Sequence, residues 1–247
     1  MPPLILWDID GTLVRGKGGR VSSTAFMQAL KLAGNLAADL EYPRDAHGKT
    51  DGQIALEVLV AAQIADGDAT ALLSSFGQAY LAALEGQRAQ LLGDIEVLPG
   101  VPEVLARLKA LGVTQSLLTG NLQPVARLKL DLTALDSYVD FDIGAFGSDH
   151  HDRACLVPIA LERARLRLGA EVRPEDVVVV GDTPRDIACA RAGGARAVGV
   201  ATGNFKREEL EAHAPDAVLD DLSHTEAVVR TLLRYSTFSD PGRALIV

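Results

Sequence analysis

The sequence is poor in aromatic residues and cysteine, and it lacks a long apolar run. Aromatic residues make up 4% of the 247 residues, so the core must consist mostly of alanine, leucine and valine. Cys155 and Cys189 match no metal-ligand spacing and form no disulfide framework, which favours a reducing compartment. No apolar stretch reaches the roughly 18 residues of a membrane span, and no signal-peptide pattern opens the chain. We therefore expect a cytoplasmic protein without a membrane partner.

The sequence also lacks an excess of positive charge. Its formal net charge is −9, which argues against nucleic acid as a partner because binding the phosphate backbone requires a basic face. A small phosphorylated metabolite is compatible with this charge, because a local site can be positive within an acidic protein. The length suits one large or two modest domains. Both a monomer and a homodimer are compatible with these features.

Helices and strands alternate along most of the chain, which predicts an α/β fold. The first apolar run, residues 4–7, predicts a strand buried on both faces. Between it and the next core strand, residues 16–95 have helical patterns only. Further strands are predicted over 113–118, 139–146, 177–180, 197–201 and 217–219, and core helices over 101–111, 124–132, 153–168 and 184–192.

This alternation predicts a Rossmann-like parallel sheet with helices on both faces. We assign residues 1–15 and 96–247 to this α/β core domain. Residues 16–95 are assigned to an inserted α-helical cap domain, with helices over 22–32, 51–64 and 68–84. The tail after Tyr235 is expected to fray.

Two aspartates follow the first apolar run. Asp8 and Asp10 come directly after residues 4–7, and Gly11 continues into a turn. Residues two apart in a strand point to the same side, so we expect both carboxylates to lie together where the strand ends. Two carboxylates this close raise each other's pKa unless a cation neutralises them. The pattern therefore favours a divalent-metal site over a solvated acidic turn.

Two more groups of polar residues follow predicted strands. Thr119, Gly120 and Asn121 offer a hydroxyl and backbone N–H groups that can point at an anion. Asp182 and Asp186, four residues apart, follow a strand of four valines. Ligands of open α/β sheets bind at the carboxyl ends of the strands, so these groups are expected to meet the first aspartate pair.

These motifs resemble those of the haloacid dehalogenase superfamily, in the same order along nearly the whole chain. Most members are Mg²⁺-dependent phosphatases that work through an aspartyl-phosphate. The resemblance implies that Asp8 is the nucleophile, and that Asp10 is the general acid and then the general base. It also implies that Thr119, Gly120 and Asn121 bind the transferring phosphate.

The resemblance further implies a Mg²⁺ site built from oxygen ligands. Asp8, the backbone carbonyl of Asp10 and Asp182 would bind the ion directly, and Asp186 would bind it directly or through water.

The sequence departs from the family pattern at the third motif, where a lysine is usual. Residues 148–154 contain no lysine, and Arg153 is the best substitute because a guanidinium is always charged and binds phosphate bidentately. Lys129 in the preceding helix is the alternative, and a solvent-facing Arg153 is a third possibility. His150 and His151 superficially match another group of phosphoesterases, but its other motifs are missing, so we interpret them as a polar turn.

Lys49 lies in a cap segment that superficially resembles a nucleotide-binding loop, although Pro43 stands where that loop needs glycine. We predict that Lys49 contacts the substrate, with an exposed loop charge as the alternative.

The predicted function is a Mg²⁺-dependent phosphatase that hydrolyses a small phosphorylated metabolite. A cap after the first motif is the type shared by phosphoglycolate phosphatase-like and β-phosphoglucomutase-like members. Two alternatives stay open, a sugar phosphomutase of the β-phosphoglucomutase type and a non-catalytic sensor of phosphorylated ligands. Intact Asp8 and Asp10 argue against the sensor, and Asp10 argues against dehalogenation.

Overall fold

A parallel sheet forms the centre of the protein. The computed structural model describes residues 3–36, 40–64, 66–169 and 171–234, without the side chains of 66–69; the tail after Tyr235, predicted to fray, lies outside these ranges. The strands are β1 (Leu4–Trp7), β2 (Val14–Gly16), β3 (Ile95–Val97), β4 (Gln115–Thr119), β5 (Ala145–Phe146), β6 (Val177–Gly181), β7 (Arg196–Val200) and β8 (Ala217–Leu219). Six of them form one sheet in the order β5-β4-β1-β6-β7-β8, and all neighbours are parallel. The predicted α/β fold is therefore confirmed.

Helices cover both faces of this sheet. The α-helices of the described residues are α1 (Val21–Gly34), α2 (Asp51–Ala61), α3 (Asp66–Gly86), α4 (Arg88–Asp94), α5 (Val101–Ala110), α6 (Gln123–Leu132), α7 (Leu156–Leu168), α8 (Pro184–Ala192), α9 (Arg207–Glu211) and α10 (Thr225–Leu233). Alternate residues of a strand point to opposite faces, so Ile5 and Trp7 pack with α5, α6 and α10. Leu4 and Leu6 pack with α7, α8 and α9. Because both faces are covered, the strands are apolar throughout.

Helices α1 to α4 form the insertion between β2 and β3. The Phe26 ring lies at its centre, 4.7 Å from the Phe76 ring and 5.3 Å from the Tyr80 ring between centroids. All three side chains are buried. Three of the eleven aromatic residues of the chain thus meet here, where edge-to-face rings fill the space between α1 and α3.

The predicted strand over 139–146 is wrong for most of its length, because only β5 is extended. A 3₁₀ turn, Asp136–Tyr138, precedes this segment. The Asp140 carboxylate then accepts a hydrogen bond from the Asp142 N–H at 3.0 Å. Such a local bond offers the backbone an alternative to the sheet ladder.

The helical interpretation of residues 16–95 missed a short antiparallel ribbon at its two ends. β2 pairs with β3, with Val14 opposite Val97 and Gly16 opposite Ile95. Each strand has three residues, too few for an alternating pattern to be recognised. The ribbon is where the chain enters and leaves the helical insertion.

Candidate active site

The predicted site residues converge at one edge of the sheet. β1 lies between β4 and β6, so the carboxyl ends of these three strands are neighbours. Asp8 follows β1, Thr119 ends β4, and Asp182 follows β6. Distant parts of the sequence are thereby brought together. The Thr12 hydroxyl donates to Asp182 Oδ1 at 3.2 Å, although the two residues are 170 positions apart.

Three buried carboxylates form what we call the acidic cluster, Asp8, Asp182 and Asp186. One oxygen of each lies within 4.8 Å of the others. Burial, followed by the charge of Asp186, raises the pKa of Asp182 to about 8. Burial also raises the pKa of Asp8 to about 6, although Arg153 opposes this effect. A divalent cation would remove the cost of these charges, and carboxylate oxygens suit Mg²⁺, so the donor set fits such an ion.

Two glycines allow the loops of the site to approach each other closely. Gly11 has a φ of 90°, and a Cβ atom there would collide with the carboxylate of Asp182. A Cβ atom at Gly120 would collide with the backbone oxygen of Lys49, where the helical insertion meets the sheet edge. These positions therefore require glycine.

Arg153 lies inside the site and not at the surface. Its side chain is 6% exposed, and Nη2 is 3.1 Å from Asp8 Oδ1 and also pairs with Asp186. Nη1 donates to the Gly48 carbonyl at 3.1 Å. Burial would lower the pKa of Arg153, but the charges of Asp186 and Asp8 outweigh it and raise that pKa. The solvent-facing alternative for Arg153 is therefore wrong.

Asp186 is held by its own loop as well as by Arg153. Its Oδ2 accepts from the Thr183 N–H at 2.9 Å and from the Thr183 hydroxyl at 2.7 Å. Thr183 in turn caps α8, so the turn between the two predicted metal ligands is closed by reciprocal hydrogen bonds.

Asp10 has different partners from Asp8. Its Oδ2 accepts from Lys129 Nζ at 2.6 Å and from Asn121 Nδ2 at 2.7 Å. Burial alone would raise the pKa of Asp10, but the ammonium and these two hydrogen bonds outweigh it and lower that pKa. Lys129 thus lies at Asp10, and Arg153 occupies the place at Asp8 where the family lysine was expected.

The helical insertion lies over these groups, and together with the sheet edge it lines a cavity of about 760 Å³. The Thr50 hydroxyl donates to the His151 carbonyl at 2.6 Å, and the Asp51 N–H donates to the Gly120 carbonyl at 2.7 Å. Side chains of both parts line the cavity, among them Asp8, Asp10, Lys129, Arg153, Asp51 and Tyr80.

Comparison with known proteins agrees with this arrangement. The family model of haloacid dehalogenase-like hydrolases matches residues 2–194. The chain belongs to this family. It is a haloacid dehalogenase-like hydrolase, as the resemblance predicted, and therefore an enzyme.

Two curated relatives of this hydrolase carry phosphatase names. The probable phosphatase IndB of Dickeya dadantii is 30% identical over 246 residues, which cover 96% of this chain and 97% of the relative. Phosphoglycolate phosphatase 1 of Pseudomonas aeruginosa is 29% identical over 226 residues, which cover 90% of this chain and 78% of the relative. Among solved structures, β-phosphoglucomutase from Clostridium difficile has a TM-score of 0.66 at 17% identity, covering 95% of this chain and 99% of that one. The last similarity concerns the fold alone.

Lys49 of this hydrolase lines the cavity, but its ammonium is engaged by two cap carboxylates. Nζ lies 2.7 Å from Asp45 Oδ2 and 2.6 Å from Glu57 Oε2. Lys49 is buried, so the alternative of an exposed loop charge is wrong. Contact of Lys49 with a substrate stays a prediction.

Sequence reasoning missed two contributors to the site, Thr12 and Asp51, and gave a third, Lys129, a different partner. Thr12 stands two residues after Asp10, and its place in that motif was the available signal. Asp51 opens a predicted helix, but nothing in the sequence indicates that its carboxylate accepts the Leu122 N–H at 2.9 Å. Lys129 was considered only as a partner of Asp8.

In the described part of this hydrolase, no helix has the length and apolar character of a membrane span.

Proposed function

We propose that this hydrolase is a Mg²⁺-dependent phosphatase that acts on a small phosphorylated metabolite through an aspartyl-phosphate. The observation that carries the proposal is the position of Asp8. Its carboxylate belongs to the acidic cluster, contacts the Arg153 guanidinium at 3.1 Å, and lines the cavity under the cap. A nucleophile, a cation site and a permanent positive charge are the groups that phosphoryl transfer needs at one point.

In the first step, an oxygen of Asp8 attacks the phosphorus atom and the bond from phosphorus to the leaving oxygen breaks. Asp10 gives its proton to that oxygen. In the second step, Asp10 takes a proton from water, whose oxygen attacks phosphorus. The bond to Asp8 then breaks, its electron pair returns to the carboxylate, and inorganic phosphate is released.

Other residues of the chain bind and orient the phosphoryl group. The Thr119 hydroxyl and the N–H groups of Gly120 and Asn121 are assigned to its equatorial oxygens. Arg153 lines the cavity beside Asp8, so its guanidinium is assigned to the phosphoryl group as well. Asp8, Asp182, Asp186 and the carbonyl of Asp10 would hold Mg²⁺, which supplies charge neutralisation for the transferring group.

We also propose that residues 16–95 act as a cap domain on a core of residues 1–15 and 96–247. The ribbon of β2 and β3 at the borders of the insertion, and cap atoms in contact with Arg153, support this division. Cap closure would exclude water during the first step and select the leaving group. The cytoplasm as location, the absence of nucleic-acid and membrane partners, and a monomeric or homodimeric state stay predictions.

The decisive experiment measures hydrolysis of p-nitrophenyl phosphate with Mg²⁺ and with EDTA. Metal-dependent turnover supports the proposal, and binding of phosphate without turnover would favour the sensor. A panel of phosphorylated metabolites then gives the substrate. Release of inorganic phosphate distinguishes the phosphatase from a phosphomutase, which would instead form an isomeric sugar phosphate.

A further inference from the structure

The Lys129 side chain is buried beside the active-site cavity and makes one ion pair there. Lys129 belongs to α6, is 5% exposed, and has its Nζ 2.6 Å from Asp10 Oδ2. The Asn121 amide donates to the same oxygen at 2.7 Å. Asp10 Oδ2 therefore accepts hydrogen bonds from two side chains, one on α6 and one in the loop before it.

The packing of α6 does not require a lysine at this position, although its ammonium also offsets the charge of Asp51. The neighbouring residues Val125, Ala126 and Leu130 on α6 are buried and apolar, so an apolar residue at position 129 would continue the helix core. Desolvating an ammonium is costly unless it is paired, and an apolar replacement of a buried ion pair is often neutral or stabilising. The observed hydrogen bond of this ammonium is to Asp10, which points to a role in the site.

Asp10 is the carboxylate whose orientation most needs control. Its side chain is 51% exposed and faces the cavity, whereas that of Asp8 is 6% exposed and held by packing. Both bonds to Asp10 use Oδ2, and Oδ1 accepts no hydrogen bond within the described ranges. Rotation of the carboxylate is thus restrained while one oxygen stays available.

We propose that Lys129 is a positioning residue that, together with Asn121, holds Oδ2 of Asp10 so that Oδ1 can give a proton to the leaving oxygen and then take one from the attacking water. This inference rests on the proposed function. Lys129 itself neither gives nor takes a proton, and it contacts no reacting atom. Arg153 and Lys129 therefore have separate tasks: Arg153 serves the nucleophile and the phosphoryl group, and Lys129 serves the acid–base group.

The test compares substrates that differ in their need for a proton. Alkyl phosphates have leaving oxygens that must be protonated, whereas 2,4-dinitrophenolate leaves without a proton. In K129M, kcat/KM for glycerol phosphate, which reports the step in which the leaving oxygen departs, should fall roughly 100-fold, within the range of general acid catalysis, and kcat/KM for 2,4-dinitrophenyl phosphate by less than about fivefold. KM should change by less than about threefold, because phosphate binding is left intact. K129R keeps the charge and should recover part of the lost activity.

K109M is the matched control, because Lys109 lies exposed on α5 and donates to the Ser137 carbonyl. It should retain wild-type values on both substrates. In an Asp10→Asn background, K129M should cause no further loss, because the group it positions no longer carries the proton. If K129M does not fold, as judged by circular dichroism, K129R and the double variant with Asp10→Asn decide the question.

An equal loss of kcat/KM on both substrates, or a large rise in KM with kcat unchanged, would overturn the inference, because Lys129 would then act on substrate binding or on the phosphoryl group and not on the proton. Wild-type activity of K129M on both substrates would overturn the inference as well. A wild-type enzyme that hydrolyses neither ester in the presence of Mg²⁺ contradicts the proposed function itself. A wild-type enzyme that is active, with a K129M that shows no leaving-group dependence, contradicts only the role of Lys129.

Discussion

Asp8 and Asp10 stand two residues apart after one strand, and their pKa values are shifted in opposite directions. Asp8 is buried among Asp182 and Asp186, and its pKa is raised to about 6. Asp10 opens into the cavity, and the Lys129 ammonium keeps its pKa below the usual range. Two chemically identical side chains thus acquire different properties from residues that arrive from β4, α6 and β6. Different environments of this kind are how paired carboxylates divide their roles.

Asp8→Asn has the largest expected effect, because it removes the nucleophile and preserves the shape of the side chain. Turnover of p-nitrophenyl phosphate should be abolished, while the circular dichroism spectrum and the melting temperature should show a folded protein. Activity retained above a few per cent would contradict the covalent mechanism, and with it the assignment of different roles to Asp8 and Asp10.

Arg153→Ala should come next, because it leaves the charge on Asp8 and on the transferring phosphoryl group uncompensated. We expect kcat/KM to fall by roughly two to four orders of magnitude. Arg153→Lys should recover part of this loss, since it keeps the charge and loses the planar fork. Arg107→Ala, an exposed arginine paired with Glu226, is the control and should be inert. If the effect of Arg153→Ala is no larger than that of the control, Arg153 does not compensate the charge of Asp8 and of the phosphoryl group.

The raised pKa values of Asp8 (about 6) and Asp182 (about 8) predict a pH dependence of the metal-free protein. A carboxyl group whose pKa is higher in the folded state stabilises the fold at low pH, and this contribution is lost as pH rises through the folded value. The melting temperature in EDTA should therefore fall as pH rises from about 4, the ordinary carboxyl pKa, to about 8, and Mg²⁺ affinity should rise between pH 6 and pH 8.

Asp182→Asn should reduce the pH dependence of both the melting temperature and the Mg²⁺ affinity, and it should weaken Mg²⁺ binding. Thermal melts and titration calorimetry measure these effects. Metal affinity in this variant that equals that of the wild type at pH 8 would place the metal site elsewhere.

The smallest expected effect concerns Asp51, the cap carboxylate near Lys129. Burial raises the pKa of Asp51 to about 6, although Lys129 opposes the shift. Its charge should therefore destabilise the fold above pH 6. Asp51→Asn keeps an oxygen for the Leu122 N–H and should raise the melting temperature at pH 8 by roughly 2–4 °C, equivalent to about 1 kcal/mol, and by less at pH 5.

Asp136→Asn is the control for Asp51, because Asp136 is exposed in a turn away from the cavity. A gain in Asp51→Asn that is equal at both pH values would mean that charge burial is not its cause.

Local patterns were sufficient for the main features of the fold. Alternate residues of a strand point to opposite faces of the sheet, and both faces are covered here, so every residue of such a strand is buried and apolar. The apolar runs of β1 and β6 therefore predict buried parallel strands. The same patterns failed at β2, β3 and β5, which have only two or three residues. Pairing with a partner strand defines such short strands, and their own sequence does not.

By itself, the sequence determined that Asp8 and Asp10 follow the same buried strand and that Asp182 and Asp186 share the loop that opens α8. These relations depend on strand and helix periodicity over a few residues. The tertiary structure alone decided which cation belongs to which carboxylate. Arg153 and Lys129 both lie on connections that return to the same sheet edge, and their sequence positions are compatible with either partner. Only the packing of α6 beside the cap and of the Arg153 turn beneath Asp186 places Lys129 on Asp10 and Arg153 on Asp8.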